Sequence, residues 1–416
     1  MKNYYFVLAI ILLPLFTVAQ EQCSCTADLN ALYASVKKMP SYKNQMKEGS
    51  KADYQKLYEN LKKQSAKAGD SFACYKILAQ LLFPLKDNHL GLWQHPTEEI
   101  SGQMIVNADF IAKYRDSDAF KNFPVVNINI DSLTKALKTK PFDDVEGIYH
   151  YSNYVTAGVY RTHKKDSLVG VVLQTNLKSW EPGQLAFTMV EFAPNRFNAL
   201  GAHLVQKNFS LLKQEAFANG TLFAGHWKKD PDKKLYAYDV PVEKFDLKNI
   251  TEDIQYLKLG SFSSDNDNVA EAAAFCKSIQ DSLTGKTLIV DLRGNGGGAD
   301  KVSNPFLKLI KKFSGNKKVY VLINHWTVSN AEQITVRLKK LKNITLLGET
   351  TNGMIAYGSN YGNTDGLACG NYRFYPTDMD CSEFLPYESV GIQPDIFLTN
   401  EADWVSQTMV IIKSTH

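Results

Sequence analysis

The sequence has 416 residues, more than twice the usual size of one domain, which predicts two or three domains. Hydrophobic residues make up 44% of the chain and charged residues 22%, a composition that excludes wholesale disorder. The 47 Lys and Arg and 43 Asp and Glu are scattered without a sustained basic run, so we expect no nucleic-acid partner.

The first nineteen residues have the pattern of a secretory signal peptide. A short basic start at Lys2 is followed by an apolar run from Tyr4 to Val18, and Ala19 is a small residue where a signal peptidase can cut. An uncleaved membrane anchor is the alternative, because the run approaches the length of a span. No later stretch is as long and apolar. We therefore predict export to the periplasm or beyond the cell, with no integral membrane span after cleavage.

Export makes disulfides plausible for the six cysteines. Cys369 and Cys381 flank a short, turn-rich segment and are the pair that the spacing favours. Cys23 and Cys25 are candidates to reach Cys74, although connectivity does not follow from spacing alone.

Hydrophobic periodicity divides the chain after the signal peptide (1–19) into four regions. They are a helical region (20–95), a mixed connecting segment (96–141), a small antiparallel β-domain (142–245) and a C-terminal region of alternating strands and helices (246–416). The connecting segment includes a short predicted strand at Val125–Ile130. In the C-terminal region, buried strands at 287–292, 319–323 and 344–347 alternate with amphipathic helices. The chain is therefore predicted to be a mixed α/β protein with a parallel C-terminal sheet, whose sites lie at the carboxyl ends of the strands.

A glycine-rich turn follows the first of these strands. Gly294-x-Gly296-x-x-Ala299 has the form of a dinucleotide fingerprint, but that reading needs an acid about twenty residues on. No Asp or Glu lies between Asp300 and Glu332, so a nucleotide site is disfavoured. The turn instead suits backbone N–H groups that face a developing negative charge. A tight turn without a ligand is the structural alternative.

Ser329 follows the second buried strand and begins an amphipathic helix. One interpretation is a helix N-cap, with Glu332 completing a capping box. The other is a nucleophile at a strand-to-helix turn, where helix N–H groups favour an oxyanion. The surrounding Thr-Val-Ser-Asn-Ala lacks the glycines of a Gly-x-Ser-x-Gly elbow, which disfavours an ordinary α/β-hydrolase.

Four motifs in order resemble one family. They are Asp-Leu-Arg-Gly-Asn-Gly-Gly-Gly (291–298), Asn-His-Trp-Thr-Val-Ser-Asn-Ala-Glu (324–332), Gly-Glu-Thr-Thr-Asn-Gly (348–353) and Gly-Ile-Gln-Pro-Asp-Ile (391–396). Together they are similar to the signatures of the tail-specific (C-terminal processing) serine peptidases and the tricorn-core peptidases. The resemblance covers about 250 to 400 and implies a crotonase-like catalytic domain. It makes Ser329 the nucleophile and implies that the N–H groups of Asn330 and of Gly296 or Gly297 hold the oxyanion.

The same resemblance names a general base. Tail-specific members use a lysine after the Gly-Glu-Thr motif, but this chain has no lysine between Lys342 and Lys413. The tricorn-like branch uses a histidine in an upstream Asp-x-His segment, which matches His89; His325 is the second candidate. In that branch a glutamate acts through a serine beside the histidine. Glu388 matches the glutamate, whereas the neighbouring residue here is Asn88, so completion of this relay is left open.

These motifs predict an exported serine endopeptidase that acts on peptides or unfolded proteins by an acyl-enzyme mechanism. Neither a cofactor nor a metal is expected, since His89-x5-His95 lacks the spacing of a zinc peptidase. The rival interpretation is a catalytically degenerate protein that binds ligands or peptides on the same fold. A third possibility, an interaction scaffold, is supported only by the predicted β-domain and by no motif. Substrate, cleavage specificity and oligomeric state do not follow from the sequence.

Overall fold

The computed structural model describes residues 23–96 and 99–414. The predicted signal peptide, Met1–Ala19, lies outside the described residues. The helices are α1 (Cys25–Val36), α2 (Pro40–Gln45), α3 (Glu48–Ser65), α4 (Ser71–Leu82), α5 (Ala108–Asp116), α6 (Asp118–Lys121), α7 (Ile130–Leu137), α8 (Asn266–Ser278), α9 (Asp300–Phe313), α10 (Asn330–Lys339) and α11 (Trp404–Ser414). Within 23–96 and 99–414, no helix combines the length and the apolar character needed to cross a bilayer.

The strands are β1 (Gly91–Gln94), β2 (Gly147–Tyr151), β3 (Val155–Arg161), β4 (Ser167–Thr175), β5 (Leu185–Ala193), β6 (Arg196–Ala202), β7 (Phe209–Ala218), β8 (Thr221–Leu222), β9 (Trp227–Lys228), β10 (Phe245–Asn249), β11 (Ile254–Leu259), β12 (Thr287–Asp291), β13 (Lys318–Ile323), β14 (Ile344–Gly348), β15 (Tyr357–Gly358), β16 (Asp365–Gly366), β17 (Tyr372–Tyr375), β18 (Met379–Asp380) and β19 (Ile396–Phe397). The mixed α/β class predicted from the sequence is confirmed.

The C-terminal sheet has six strands in the order β10-β11-β12-β13-β14-β19. The pairing is antiparallel between β10 and β11 and parallel across the remaining strands. All five residues of β12 are buried, as expected for a strand covered on both faces. Helices α8, α9 and α10 carry the crossovers and pack their apolar faces into the same core as the central strands. The loops at the carboxyl ends of β12 and β13 therefore lie side by side.

The second sheet closes on itself. Strands β2 to β9 form a ring in the order β7-β6-β5-β4-β3-β2-β9-β8, because β8 pairs with both β9 and β7. Strand β1 pairs with β7 and also with β17, which extends the sheet beyond the ring. Strands from the helical, β-rich and C-terminal regions of the sequence thus share one sheet. The division of the chain into separate domains stays a prediction.

The helical region packs against the closed sheet and supplies part of the same core. Helix α4 begins at its N-cap Asp70, whose carboxylate accepts the N–H of Ala73. At the other end of the helix, the buried ammonium of Lys213 on β7 donates to the carbonyl oxygen of Leu82, the last residue of α4 (2.8 Å), and to that of Leu85 in the turn that follows (2.6 Å). This contact fixes the point where the chain leaves the helix and runs toward β1.

Two details of the sequence-based prediction are wrong. The predicted strand at Val125–Ile130 is reduced to one isolated bridge between Val125 and Gln184, since Asn129 caps α7 and starts a helix there. The predicted Cys369–Cys381 disulfide is also wrong. The bonds are Cys23–Cys369 and Cys25–Cys74, and Cys381 is free. Helix α1 packs beside the turn before β17, which brings Cys369 to the N-terminal cysteines rather than to its sequence neighbour.

Candidate active site

Ser329 lies at the turn between β13 and α10. Its backbone has φ 59° and ψ −123°, a conformation that is unfavourable for a residue with a side chain and that is typically retained where function requires it. The residue is partly exposed, while the first turn of α10 is buried. Ser329 therefore occupies the N-cap position of the alternative interpretation without being fully buried.

The fold brings His89 to Ser329 across 240 residues of sequence. His89 Nε2 lies 3.1 Å from Ser329 Oγ, which is hydrogen-bond distance. Burial disfavours the imidazolium and lowers the pKa of His89 to about 4, so the ring is neutral at pH 7. A neutral imidazole at this distance is able to accept the serine proton.

The short loop that carries His89 is held by the two residues just before the histidine. Asp87 is buried and accepts a hydrogen bond from Thr377 Oγ1 at 2.5 Å. The Asn88 side chain donates to the carbonyl oxygen of Gly353 (2.9 Å) and accepts from Ser389 Oγ (3.2 Å). These bonds position the loop through residues that precede the histidine.

Glu388 contacts the main chain of this loop rather than the imidazole. Its Oε1 accepts the backbone N–H of Asn88 at 2.6 Å, and its Oε2 accepts the N–H groups of Ile355 and Ala356, both at 2.8 Å. Burial raises the pKa of Glu388 to about 7. The Asn88 side chain does not bridge Glu388 and His89. In the part of the chain that the structure describes, no residue hydrogen-bonds to the buried His89 Nδ1.

The glycine-rich turn after β12 packs directly on the Ser329 segment. Gly297 has φ +86°, and a Cβ added to it would lie 2.8 Å from both Ser329 Cβ and the Asn330 nitrogen. The Gly297 N–H already donates to Asn295 Oδ1 at 2.9 Å. The backbone N–H groups of Gly296 and Asn330 have no hydrogen-bond acceptor among the described residues. Of the three predicted oxyanion donors, these two are the ones left free to bind an anion.

Glu332 is a site residue whose wider role the sequence did not indicate. Its fully buried carboxylate accepts the backbone N–H of Ser329 at 3.1 Å, which is one half of the predicted capping box. It also accepts from Thr351 Oγ1 (2.6 Å) and from the N–H groups of Gly353 (2.7 Å) and Met354 (2.9 Å). Glu332 therefore ties the Ser329 turn to the Gly-Glu-Thr-Thr-Asn-Gly segment. The presence of that motif was the feature of the sequence that could have indicated this role.

His325, the second candidate base, is engaged elsewhere. Its Nε2 lies 3.3 Å from Asn352 Nδ2, and its ring stacks on Phe223 with centroids 4.4 Å apart. Burial and the nearby charge of Arg196 lower the pKa of His325 to about 3. These contacts place its ring between two neighbours and leave His89 as the imidazole at the Ser329 hydroxyl.

A cleft of about 710 Å³ adjoins the glycine turn. One wall is formed by Gly296, Trp326 and Val328, which belong to the two loops at the carboxyl ends of β12 and β13. The opposite wall comes from the closed sheet and the segment that follows it, and includes Thr221, Phe223, His226, Lys228, Leu235 and Tyr238. The cleft has the size of a ligand site and a mixed polar and apolar lining.

Comparison with known proteins supports the resemblance seen in the motifs. Residues 308–398, which include Ser329 and Glu388, match the model of Peptidase family S41. The resemblance stated from the sequence is confirmed over that segment, and the match supports a peptidase. No curated protein sequence matches the chain.

Several solved structures resemble the chain at low identity. A photosystem II D1 C-terminal processing protease is 13% identical, with 91% of this chain and 94% of that one covered and a TM-score of 0.38. The tricorn protease is 11% identical, with 94% and 37% covered and a TM-score of 0.41. A lipoprotein from Streptococcus agalactiae is 20% identical, with 41% and 69% covered and a TM-score of 0.29. These values are too low to transfer a function.

Proposed function

We propose that the protein is an exported serine endopeptidase whose nucleophile is Ser329 and whose general base is His89. The observation that carries this proposal is the 3.1 Å approach of His89 Nε2 to Ser329 Oγ, made by residues from distant parts of the chain. The strained backbone at Ser329 and the family match around it support the same assignment.

The proposed reaction is acyl transfer to the serine. As Ser329 Oγ attacks the peptide carbonyl carbon, its proton moves to His89 Nε2, and the carbonyl oxygen becomes an oxyanion. The free N–H groups of Gly296 and Asn330 donate to that oxyanion. The C–N bond then breaks, and His89 gives its proton to the leaving amine. Water, deprotonated by His89, hydrolyses the acyl-enzyme and restores the serine.

The acidic residues around the base act in this mechanism as positioning groups. Glu388 holds the His89 loop by accepting the backbone N–H of Asn88, and Glu332 holds the nucleophile turn by accepting the backbone N–H of Ser329. Both carboxylates accept several backbone N–H groups, so each fixes two segments relative to one another. We infer that their common role is to keep the Ser329 hydroxyl and the His89 imidazole at hydrogen-bond distance.

Export is the part of the proposal that rests on the cysteines and the first residues of the sequence. The two disulfides, Cys23–Cys369 and Cys25–Cys74, require an oxidising compartment to persist. They begin directly after the predicted cleavage point near Gln20. The compartment, periplasmic or extracellular, is part of the same proposal.

The test is cleavage of a denatured, fluorescently labelled protein, together with labelling by a fluorophosphonate. We expect the wild type to cleave the substrate and take up the label, and Ser329→Ala to do neither. Ser278→Ala is the matched control, because Ser278 is an exposed serine on α8, a helix that carries no residue of the proposed site. Undiminished cleavage by Ser329→Ala would remove Ser329 as the nucleophile.

A second function, peptide binding without catalysis, is favoured by one observation. His89 Nδ1 has no hydrogen-bond partner among the described residues, so nothing there fixes the tautomer that a base requires. This alternative predicts that the wild type binds unfolded peptides but is neither labelled nor active at any pH. Labelling that disappears in Ser329→Ala decides for the enzyme.

A further inference from the structure

The closed sheet encloses a second cavity, of about 590 Å³, that the proposed reaction does not use. Its walls are mainly apolar and come from the inward faces of the strands and from the segments around 102–106 and 203–205. Ala199 and Gly201 on β6 and Ser210 on β7 contribute only small side chains to this face. They leave space beside the large rings of Phe187 and Trp227, whose centroids are 5.4 Å apart. The cavity therefore follows from residue size along two strands.

A single hairpin separates this cavity from the cleft beside Ser329. In the β8–β9 hairpin, Thr221 pairs with Lys228 and Leu222 pairs with Trp227. Thr221 and Lys228 line the cleft, whereas Leu222 and Trp227 line the cavity. Successive strand residues point to opposite faces, so the partition is one strand layer thick.

The two spaces meet at the turn of that hairpin. His226 lines both the cleft and the cavity and is exposed to solvent. Its ring stacks on Trp326, with centroids 5.6 Å apart, and Trp326 precedes Ser329 by three residues. The cleft and the cavity therefore share His226 as a lining residue, close to the turn that carries Ser329.

The polar groups of the cavity wall favour an apolar occupant. Glu215 is fully buried there, but its carboxylate is already bonded to the N–H groups of Ala216, Ala224 and Gly225. It holds the hairpin turn in place and has little capacity left for a cationic ligand. At the open side, Val106 is 80% exposed and Tyr154 is 48% exposed, so apolar surface extends from the cavity to solvent.

We propose that this cavity is a second recognition site for the polypeptide substrate and takes a bulky apolar side chain several residues from the scissile bond. The inference rests on the proposed peptidase function, with the scissile peptide in the cleft and the chain crossing the hairpin at His226. Burial of one large apolar side chain lowers KM by about 10- to 100-fold relative to alanine at that position.

The experiment uses two sets of peptides that differ only in Phe or Ala, with the substituted position moved stepwise away from the cleaved bond. We expect one position on one side of the bond where Phe lowers KM about 10- to 100-fold in the wild type. In Ser210→Leu and Ala199→Leu, which fill the cavity, this advantage disappears. Cleavage of a short peptide that reaches only the cleft stays unchanged. Gln174→Leu adds the same side chain to an exposed position of β4 and keeps the advantage.

Three results overturn the inference while leaving the peptidase assignment intact. The first is that Phe lowers KM at no position, and the second is that the Phe advantage survives in both cavity variants. The third is that the apolar dye 8-anilinonaphthalene-1-sulfonate binds the wild type but not the cavity variants, and that Phe peptides fail to displace it. The last result would make the cavity a small-molecule site. Failure of the proposed function is distinguishable, because no peptide would then be cleaved and no fluorophosphonate bound. In that case, the affinities of labelled Phe and Ala peptides for the wild type and the cavity variants can be compared by fluorescence anisotropy, which tests the cavity without catalysis.

Discussion

Substitution of Gly297 by alanine tests how closely the glycine turn must pack on the nucleophile. At φ +86°, a residue with a side chain costs about 1–2 kcal/mol of backbone strain. The added Cβ would also lie 2.7 Å from the carbonyl oxygen of Val328 and 2.8 Å from Ser329 Cβ. These are backbone or near-backbone atoms, which cannot swing away as the end of a long side chain can. The Ser329 turn must therefore shift.

A shift of this kind has a predictable kinetic cost. Misplacement of a reacting group by roughly 1 Å lowers the rate about 100-fold. We expect Gly297→Ala to lower kcat/KM and the rate of fluorophosphonate labelling by about that factor, with a fall of a few degrees in Tm. The assay is peptide cleavage under conditions where circular dichroism shows that the variant is folded.

Two other glycines serve as comparisons. Gly315 lies after α9 with its nearest added contact at 3.4 Å, so Gly315→Ala is expected to keep wild-type activity. Gly296→Ala retains its backbone N–H and would place its Cβ with no atom within 4 Å, so its activity should fall by no more than a few-fold. Wild-type labelling by Gly297→Ala, or equal losses in Gly296→Ala and Gly297→Ala, would refute the packing argument.

Two further predictions concern pH and the disulfides. The pKa of His89 in the folded protein is about 4, below its ordinary 6.5, so the imidazole stays neutral in mild acid. We therefore expect kcat/KM to fall only as the pH drops through about 4. A fall of kcat/KM near pH 6.5 would show that another group is the base. The same lowered pKa means that His89 disfavours the native state progressively as the pH falls from 6.5 toward 4. The Cys25–Cys74 disulfide spans 49 residues and should stabilise the fold by about 4 kcal/mol. We therefore expect Cys74→Ala to lower Tm clearly, whereas Cys381→Ala, at a free cysteine, should change Tm little. Equal Tm values for the two variants would contradict this.

The elements of the C-terminal sheet were readable from local pattern. The apolar runs at 287–292, 319–323 and 344–347 became β12, β13 and β14 with shifts of one residue at their ends. A continuous buried strand followed by an amphipathic helix needs only short-range information, because the periods of 2 and 3.6 residues are set by the backbone. Motif order then placed Ser329 and the glycine turn in neighbouring loops.

Contacts between distant segments were decided by the tertiary structure. The Asp-x-His form suggested His89, but only the fold brings its Nε2 to 3.1 Å from Ser329 Oγ. The sequence left a relay through Asn88 open, and only the structure shows that Glu388 accepts the Asn88 backbone N–H while the Asn88 side chain donates to the Gly353 carbonyl oxygen. The local sequence pattern does not indicate which hydrogen-bond donors a buried carboxylate will contact in the folded protein.

The length of 416 residues and the change of periodicity along the chain predicted several regions, and that much the sequence determined by itself. Only the tertiary structure joins β1, β17 and the ring of β2 to β9 into one sheet, with His89 just before β1. It also pairs Cys25 with Cys74 on α4 and Cys23 with Cys369 in the turn before β17. The physical reason is that periodicity fixes how each segment is buried, whereas strand pairing and disulfide choice depend on which segments meet when the whole core closes.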